Sequence, residues 1–119
     1  YLSSMRVMGY IQKRIGEVFE RFDVLACPTI PELPSLISDY SKENLSKSKN
    51  VVGGKIPLFT SLFNVTRQPS ISTTAGFSSK GLPIGVMFTG KFNEDYKVLQ
   101  VGNWFEKITN IQINKIPNI

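Results

Sequence analysis

Residues 63–90 decide the fold of this chain, and they read FNVTRQPSISTTAGFSSKGLPIGVMFTG. Within them, Ser70–Thr74 is rich in β-branched residues, and Ile84–Thr89 is a second, largely apolar run. A proline stands just before each run, a position that strands tolerate. The turn residues Ser78–Gly81 connect the two runs. This pattern predicts two strands that pair as an antiparallel hairpin.

Helical patterns lie on both sides of the hairpin. Leu58–Val65 is apolar enough to predict a short buried helix. Downstream, Asn93–Asp95 predicts a helix start, with Asn93 as the capping side chain and two carboxylates in the first turn. The packed face of that helix is predicted to carry Val98, Leu99, Val101, Phe105 and Ile108.

The first 57 residues supply three further elements. Apolar residues at helical spacing predict an amphipathic helix from Leu2 to about Arg21. Asp23–Cys27 is a short apolar run that closely follows this helix, which predicts a buried parallel strand. From Pro28 to about Pro57 the chain is polar and rich in proline and glycine. A loop this long predicts a segment that lines a functional site.

The predicted order is helix, strand, long loop, short helix, two strands and helix, which defines an α/β class. A sheet this small would expose unpaired edges if it stood alone. The helical pattern also begins at Tyr1 without a capping residue. Both features predict a segment of a larger sheet.

Charge and cysteine content narrow the function classes. The net charge is +5, but the densest lysine cluster falls in the polar stretch Ser41–Lys49, which predicts a solvated loop and not a nucleic-acid surface. No apolar run approaches the roughly 20 residues of a membrane helix. The single cysteine, Cys27, excludes an internal disulfide and favours a reducing compartment, so a cytoplasmic location is predicted.

The chain lacks the residues for most hydrolytic sites. It contains no histidine, which excludes a Ser-His-Asp triad, a Cys-His dyad and a histidine metal site built from this chain alone. Cys27 lies in an apolar run, which favours a packing residue over a nucleophile. No cofactor and no metal are expected, and no catalytic residue is assigned within the chain.

Four phrases in fixed order resemble the amidase-signature family, and together they cover Leu2 to about Lys107. Each phrase is weak alone, whereas four in register are specific. They are Phe22–Pro31, which resembles "yDvLl-PT-P"; Phe63–Ser72, which resembles "FNLTGQPAIS"; Ala75–Gly76 with Gly81–Gly90, which is similar to "PAG…GLPIGLQLIG"; and Phe92–Asp95 with Leu99 and Trp104–Glu106, which resembles "FDE…LL…A…E".

The resemblance implies the C-terminal part of the amidase-signature mixed β-sheet, with helices on both faces. Residues 1–119 would be the C-terminal segment of a single larger amidase domain, with the site-lining loop at about 28–57 and the upstream catalytic part absent. The family cleaves a carboxylic amide to an acid and ammonia or an amine through a Ser-Ser-Lys triad and an acyl-enzyme. Those residues precede this segment in the family, so the chain alone is expected to be inactive.

The resemblance also gives expectations for individual residues. Pro28, Thr29, Thr60 and Phe63 are predicted to lie beside the substrate pocket, with ordinary packing as the competing interpretation. Arg67 replaces the glycine usual before the Gln-Pro pair, which predicts backbone strain if that position has a positive φ.

Three functions stay open at this point. A general amidase is favoured, with a hydrophobic or aromatic substrate suggested by Phe59, Leu62 and Phe63. The A subunit of a glutamine-dependent tRNA amidotransferase is disfavoured because Pro57 stands where an ammonium-binding aspartate would fall. The third is a non-catalytic basic binding or scaffold fragment. The partners expected are the rest of the same polypeptide and a small amide substrate, with a homodimer left open and neither nucleic acid nor a membrane expected.

Overall fold

A computed structural model describes residues 1–34, 36 and 58–111. Within these ranges the chain forms helices and strands in the order that the sequence predicts, and the α/β class is confirmed. The elements are α1 (Leu2–Val18), β1 (Val24–Pro28), α2 (Thr60–Thr66), β2 (Ser70–Phe77), β3 (Pro83–Gly90) and α3 (Asp95–Thr109). Most of the predicted loop, with Pro57, and the tail after Ile111 lie outside the described residues.

The predicted hairpin is confirmed. β2 and β3 pair antiparallel, from Ser70 opposite Thr89 to Phe77 opposite Pro83, with one irregularity between Thr74 and Gly76. At the turn, Gly81 has φ 76° and its N–H donates to the Ser78 carbonyl at 2.9 Å. A positive φ is a conformation that glycine adopts without the steric cost other residues meet, which explains the glycine at the turn.

The predicted parallel orientation of β1 is wrong. β1 pairs antiparallel with β3, with Leu25 opposite Thr89 and Cys27 opposite Met87. The strand order in the sheet is β1-β3-β2, so β3 is the central strand. The turn after β2 fixes the direction of β3. β1 therefore takes its orientation from its pairing with β3, and the helix that precedes β1 does not decide it.

α3 packs on one face of the sheet through a narrow stripe. The rings of Phe105 and Phe88 lie 5.2 Å apart between centroids. A Cβ at Gly102 would lie 2.7 Å from Ile71 Cδ1, so this glycine lets the helix backbone approach β2. Val98, only 2% exposed, occupies the space above Gly90. The contact stripe is therefore Val98, Gly102 and Phe105, at the spacing of successive helical turns.

This stripe is narrower than the sequence predicts. Leu99 and Ile108 are both predicted on the packed face, yet they are 59% and 57% exposed. At 3.6 residues per turn, Leu99 and Ile108 lie on opposite sides of the stripe, each roughly 90° around the helix from its centre. Their exposure leaves apolar surface on α3 uncovered by the described residues.

The start of α3 also differs from the prediction. The helix begins at Asp95, and Glu94 occupies the N-cap position without a side-chain capping hydrogen bond. Asn93 has φ 65° and lies outside the helix, so its predicted capping role is wrong. The chain turns sharply before the helix, and Asn tolerates the left-handed backbone that this turn requires. Asp95 does place a carboxylate in the first turn, as predicted.

α1 ends at Val18, three residues before the predicted boundary. The N–H groups of Arg21 and Phe22 both donate to the Val18 carbonyl, which closes a turn after the helix. α1 contacts α2, where Gln12 Nε2 donates to the Val65 carbonyl at 3.1 Å. No residue of α1 is buried.

The core of the described residues is small. Five hydrophobic residues are buried there, whereas eighteen large hydrophobic residues are more than a third exposed. α1 alone contributes Leu2, Met5, Val7 and Tyr10 to the exposed set. Exposed apolar surface on this scale is typical of a surface that other parts of a protein cover.

None of the helices in the described ranges has both the length and the apolar character needed to cross a membrane.

Candidate functional site

A groove of about 550 Å³ opens where β1 ends and β3 begins, and we call it the sheet-end groove. Ligand sites in proteins are commonly concave, mostly apolar and of about 300–1,000 Å³. Its lining comes from three segments of chain: residues 28–34, 72–74 and 83–85.

A pair of hydroxyl groups lies in this lining. Thr29 Oγ1 and Ser72 Oγ are 2.6 Å apart and share a hydrogen bond. The Thr29 N–H donates to the Gly85 carbonyl at 3.0 Å, so the β1–β3 pairing extends one residue past β1 and fixes the position of Thr29.

Because Gly85 has no side chain, the hydroxyl groups of Thr29 and Ser72 can occupy the space beside it. A Cβ at this position would lie 2.7 Å from Thr29 Oγ1 and 3.2 Å from Ser72 Oγ. Side-chain direction alternates along a strand, and the neighbouring residue Thr73 contacts α3. Gly85 and the hydroxyl pair therefore lie on the sheet face opposite α3.

The described lining of the groove carries little charge. Glu32 is the single ionisable side chain among the lining residues that the structure describes. Thr73, another lining residue, donates its hydroxyl to Glu106 Oε1 at 2.7 Å. No lysine or arginine belongs to the described lining.

The four residues predicted beside the substrate pocket do not come together. Pro28 and Thr29 line the sheet-end groove. Phe63 is buried on α2 and lines a separate polar cavity of about 360 Å³, which Asn93 also lines beyond the end of β3. Thr60, at the start of α2, lines neither cavity. Substrate contact by these four residues stays a prediction.

Sequence reasoning missed the two partners of Thr29. Gly85 is predicted to permit a close approach and Ser72 is predicted only as a strand residue, and their meeting with Thr29 depends on long-range strand pairing. One local signal was present: a glycine inside a strand often marks a close approach by another group.

Arg67 has a positive φ. This is the condition under which its replacement of the family's usual glycine predicts backbone strain. It is the residue after the last turn of α2, with φ 62° and ψ 29°, in the left-handed region. Its N–H donates to the Phe63 carbonyl, which closes the helix. Glycine is the usual residue in this role because it lacks the steric conflict of a Cβ.

Lys97 forms the ion pairs that connect α3 to the start of β1. Its Nζ lies 2.9 Å from Glu94 Oε2 and 3.1 Å from Asp23 Oδ1. The carboxylates of Glu94 and Asp23 raise the pKa of this lysine above its ordinary value. Lys97 is therefore protonated at neutral pH and is unsuited to act as a general base.

Cys27 is half-buried in β1, opposite Met87. Burial raises the pKa of its thiol above the ordinary value. A thiol that stays protonated at neutral pH is a poor nucleophile, in agreement with its predicted packing role. The described residues contain no cluster of three or more side chains suited to hold a metal ion.

Known proteins share features with this chain, namely the antiparallel sheet, the helix that covers it and the order of the four sequence phrases. The family model named Amidase matches residues 1–99, and the chain belongs to this family of amidase-signature proteins.

Individual relatives agree with this membership. The chain is 34% identical over 119 residues to the A subunit of glutamyl-tRNA(Gln) amidotransferase from Prochlorococcus marinus subsp. pastoris, covering 100% of this chain and 23% of the relative. The crystal structure of the same enzyme's A subunit from Thermotoga maritima superposes with a TM-score of 0.73 at 28% identity, covering 90% of this chain and 22% of that one. A structure of 6-aminohexanoate cyclic dimer hydrolase gives a TM-score of 0.66 at 29% identity, covering 85% of this chain and 22% of the other.

The chain thus spans less than a quarter of the length of the relatives it matches. The comparisons therefore show the family and the fold of this chain.

Proposed function

We propose that this chain is the C-terminal segment of an amidase-signature hydrolase, which cleaves a carboxylic amide to an acid and ammonia or an amine. In this proposal a Ser-Ser-Lys triad outside the 119 residues forms the acyl-enzyme that water then hydrolyses. The segment supplies three sheet strands, the helix that packs on them and part of the pocket wall. The observation that carries the proposal is the family match over residues 1–99.

The chemistry of the described residues supports the placement of the catalytic groups elsewhere. A serine nucleophile needs a base that is unprotonated at the working pH. Lys97 is held in its charged form by two carboxylates, and the sequence contains no histidine. The Thr29–Ser72 hydroxyl pair has no described lysine in its groove that could activate either oxygen.

A second candidate is the A subunit of a glutamine-dependent tRNA amidotransferase. The names of the relatives favour it, since the protein from Prochlorococcus marinus is such a subunit. The sequence argument against it is Pro57, which cannot pair with the ammonium group of glutamine. In this candidate the partners would be the other subunits of an amidotransferase and, through them, a charged tRNA. The third candidate, a non-catalytic basic scaffold, has only the net charge of +5 in its favour.

The decisive experiment is an assay of ammonia release by the full polypeptide that carries this segment. Primary amides of increasing chain length are compared with glutamine at the same concentrations. We expect release from amides, abolished when the upstream nucleophilic serine is replaced by alanine. Release from glutamine alone would favour the amidotransferase candidate, and release from no amide in the intact polypeptide would contradict both enzymatic candidates.

A further inference from the structure

We propose that the polar cavity where α2 ends and α3 begins binds a small zwitterion, a molecule that carries one carboxylate and one ammonium group. Arg67 holds the carboxylate, and Asp95 holds the ammonium group. The proposal concerns a different part of the chain from the sheet-end groove, and it does not depend on the amide-cleaving activity proposed above.

The polar cavity has the size of a small-molecule site. Its volume is about 360 Å³, within the range of about 300–1,000 Å³ that is usual for such sites. The sheet-end groove lies at the start of β3, whereas this cavity lies beyond the end of the same strand. β3 has eight residues, and each residue advances a strand by roughly 3.3 Å, so roughly 20 Å separates the two.

Arg67 supplies an unpaired positive charge to the cavity. Its guanidinium group lines the cavity and has no ion-pair partner among the described residues. A guanidinium group can donate two parallel hydrogen bonds to a carboxylate. Arg67 also stands where the family usually has glycine, with φ 62°. Strained backbone positions are concentrated at functional sites, and the binding of an anionic group by this side chain explains why arginine occupies one.

Asp95 supplies an unpaired negative charge to the same cavity. It is the first residue of α3 and forms no ion pair within the part of the chain that the structure describes. Lys97, two residues further along the helix, is paired with other carboxylates. Arg67 and Asp95 therefore line one cavity without neutralising each other, and the space between them offers one charge of each sign.

A ligand with both charges matches this lining better than a ligand with one. A simple anion would be repelled by Asp95, and a simple cation would be repelled by Arg67, whereas a zwitterion pairs with both. The amide groups of Asn64 and Asn93 also line the cavity, and an amide can donate to a carboxylate or accept from an ammonium group. All four side chains belong to exposed residues, so a ligand can reach them from solvent.

Ligand-observed NMR titration of the full polypeptide that contains this chain tests the proposal without any need for turnover. Glycine, 3-aminopropanoate and 4-aminobutanoate are compared at neutral pH, because they hold the two charged groups at increasing separations. Acetate and methylamine each carry only one of the two charges. We expect at least one zwitterion to bind at least about tenfold more tightly than either singly charged probe, the effect of one hydrogen-bonded charge.

Variants connect the binding to the two charged residues. Arg67→Gly is expected to lower the affinity for the best zwitterion at least about tenfold while it raises the Tm, because it removes the cation and the backbone strain together. Asp95→Asn, which is nearly isosteric, should abolish the preference for the zwitterion over acetate. Lys80→Gln, at the hairpin turn, is the matched control: it removes one positive charge outside the cavity lining and leaves the affinity unchanged.

The outcomes separate this proposal from the proposed function. Failure of all three zwitterions to bind, equal affinity for the zwitterions and for either singly charged probe, or full affinity in Arg67→Gly would overturn the site even if the enzyme hydrolyses amides. Zwitterion binding that is lost in Arg67→Gly, in a polypeptide that releases no ammonia, would support the site while contradicting the proposed activity.

Discussion

At the scale of single residues, the structure explains why some positions require glycine. It also shows one position suited to glycine that another residue occupies. Gly85 and Gly90 lie against side chains of other elements, and Gly81 has a positive φ. Arg67 occupies a left-handed position without being glycine. The sequence alone identified Arg67 as unusual, because it interrupts a phrase that otherwise matches the family.

Replacement of Arg67 by glycine is predicted to stabilise the protein. A non-glycine residue in the left-handed region costs roughly 1–2 kcal/mol, and the greater freedom of glycine in the unfolded chain offsets part of this gain. We expect a net increase of about 0.5–1 kcal/mol in the free energy of unfolding of the full polypeptide, measured by urea denaturation. Arg67→Ala is the control, since it removes the side chain and keeps the strain. Equal stabilisation by both variants would contradict the explanation.

Gly90→Ala is predicted to destabilise the protein. The new Cβ would lie 2.5 Å from Val98 Cγ2, and Val98 is buried with little freedom to move. Overpacking of this kind typically costs about 1–3 kcal/mol. Urea denaturation of Gly90→Ala and of the control Gly76→Ala measures the difference. A loss of the same size in both variants would show that the contact with Val98 is not the cause.

Cys27 is predicted to react slowly with a disulfide reagent at neutral pH. Burial raises the pKa of its thiol, which keeps it protonated, and limits access. We expect slow reaction in the native protein and rapid reaction in urea. The raised pKa also makes the stability of the protein depend on pH. The contribution of this thiol to the free energy of unfolding is complete below the pKa of the unfolded thiol, and it is lost as the pH rises through the pKa of the folded thiol. Rapid labelling of the native thiol at neutral pH would be the opposite result.

At the scale of elements, local sequence patterns predicted which helices and strands form and in what order. Contacts between residues far apart in the sequence decided how the strands are oriented in the sheet. The hairpin of β2 and β3 was predictable because its turn is local. β1 was predicted parallel from the helix before it, yet its partner β3 lies more than 50 residues later in the sequence. The Thr29–Ser72 pair escaped prediction for the same reason, since it joins residues 43 positions apart.

Two helical glycines test how α3 packs on the sheet. Alanine in place of a helical glycine with open space around it generally stabilises by up to about 1 kcal/mol. We expect this gain for Gly16→Ala in α1, where a Cβ meets nothing within 4 Å. Gly102→Ala in α3 should instead destabilise, because its Cβ would approach the β-branched side chain of Ile71 at three atoms.

Thermal unfolding of the two variants, each compared with the unmodified protein, gives the measurement. The expected pattern is a higher Tm for Gly16→Ala and a lower Tm for Gly102→Ala. A rise for both would mean that α3 does not approach β2 as closely as the structure indicates.

At the scale of the whole molecule, the described residues form an incompletely covered sheet layer. Their buried hydrophobic set is small, and α1 presents Leu2, Met5, Val7 and Tyr10 to solvent. The catalytic groups expected of the family have no counterpart among the described side chains. Both features support the proposal that this chain is a segment of a larger amidase domain whose active site is formed mainly by other residues.

Ammonia release by two samples, the isolated 119-residue chain and the full polypeptide that contains it, tests this conclusion most directly. We predict release by the full polypeptide and none above the buffer rate by the isolated chain, over the same series of primary amides. Amide hydrolysis by the isolated chain would contradict the conclusion, because a complete catalytic site would then lie within these residues.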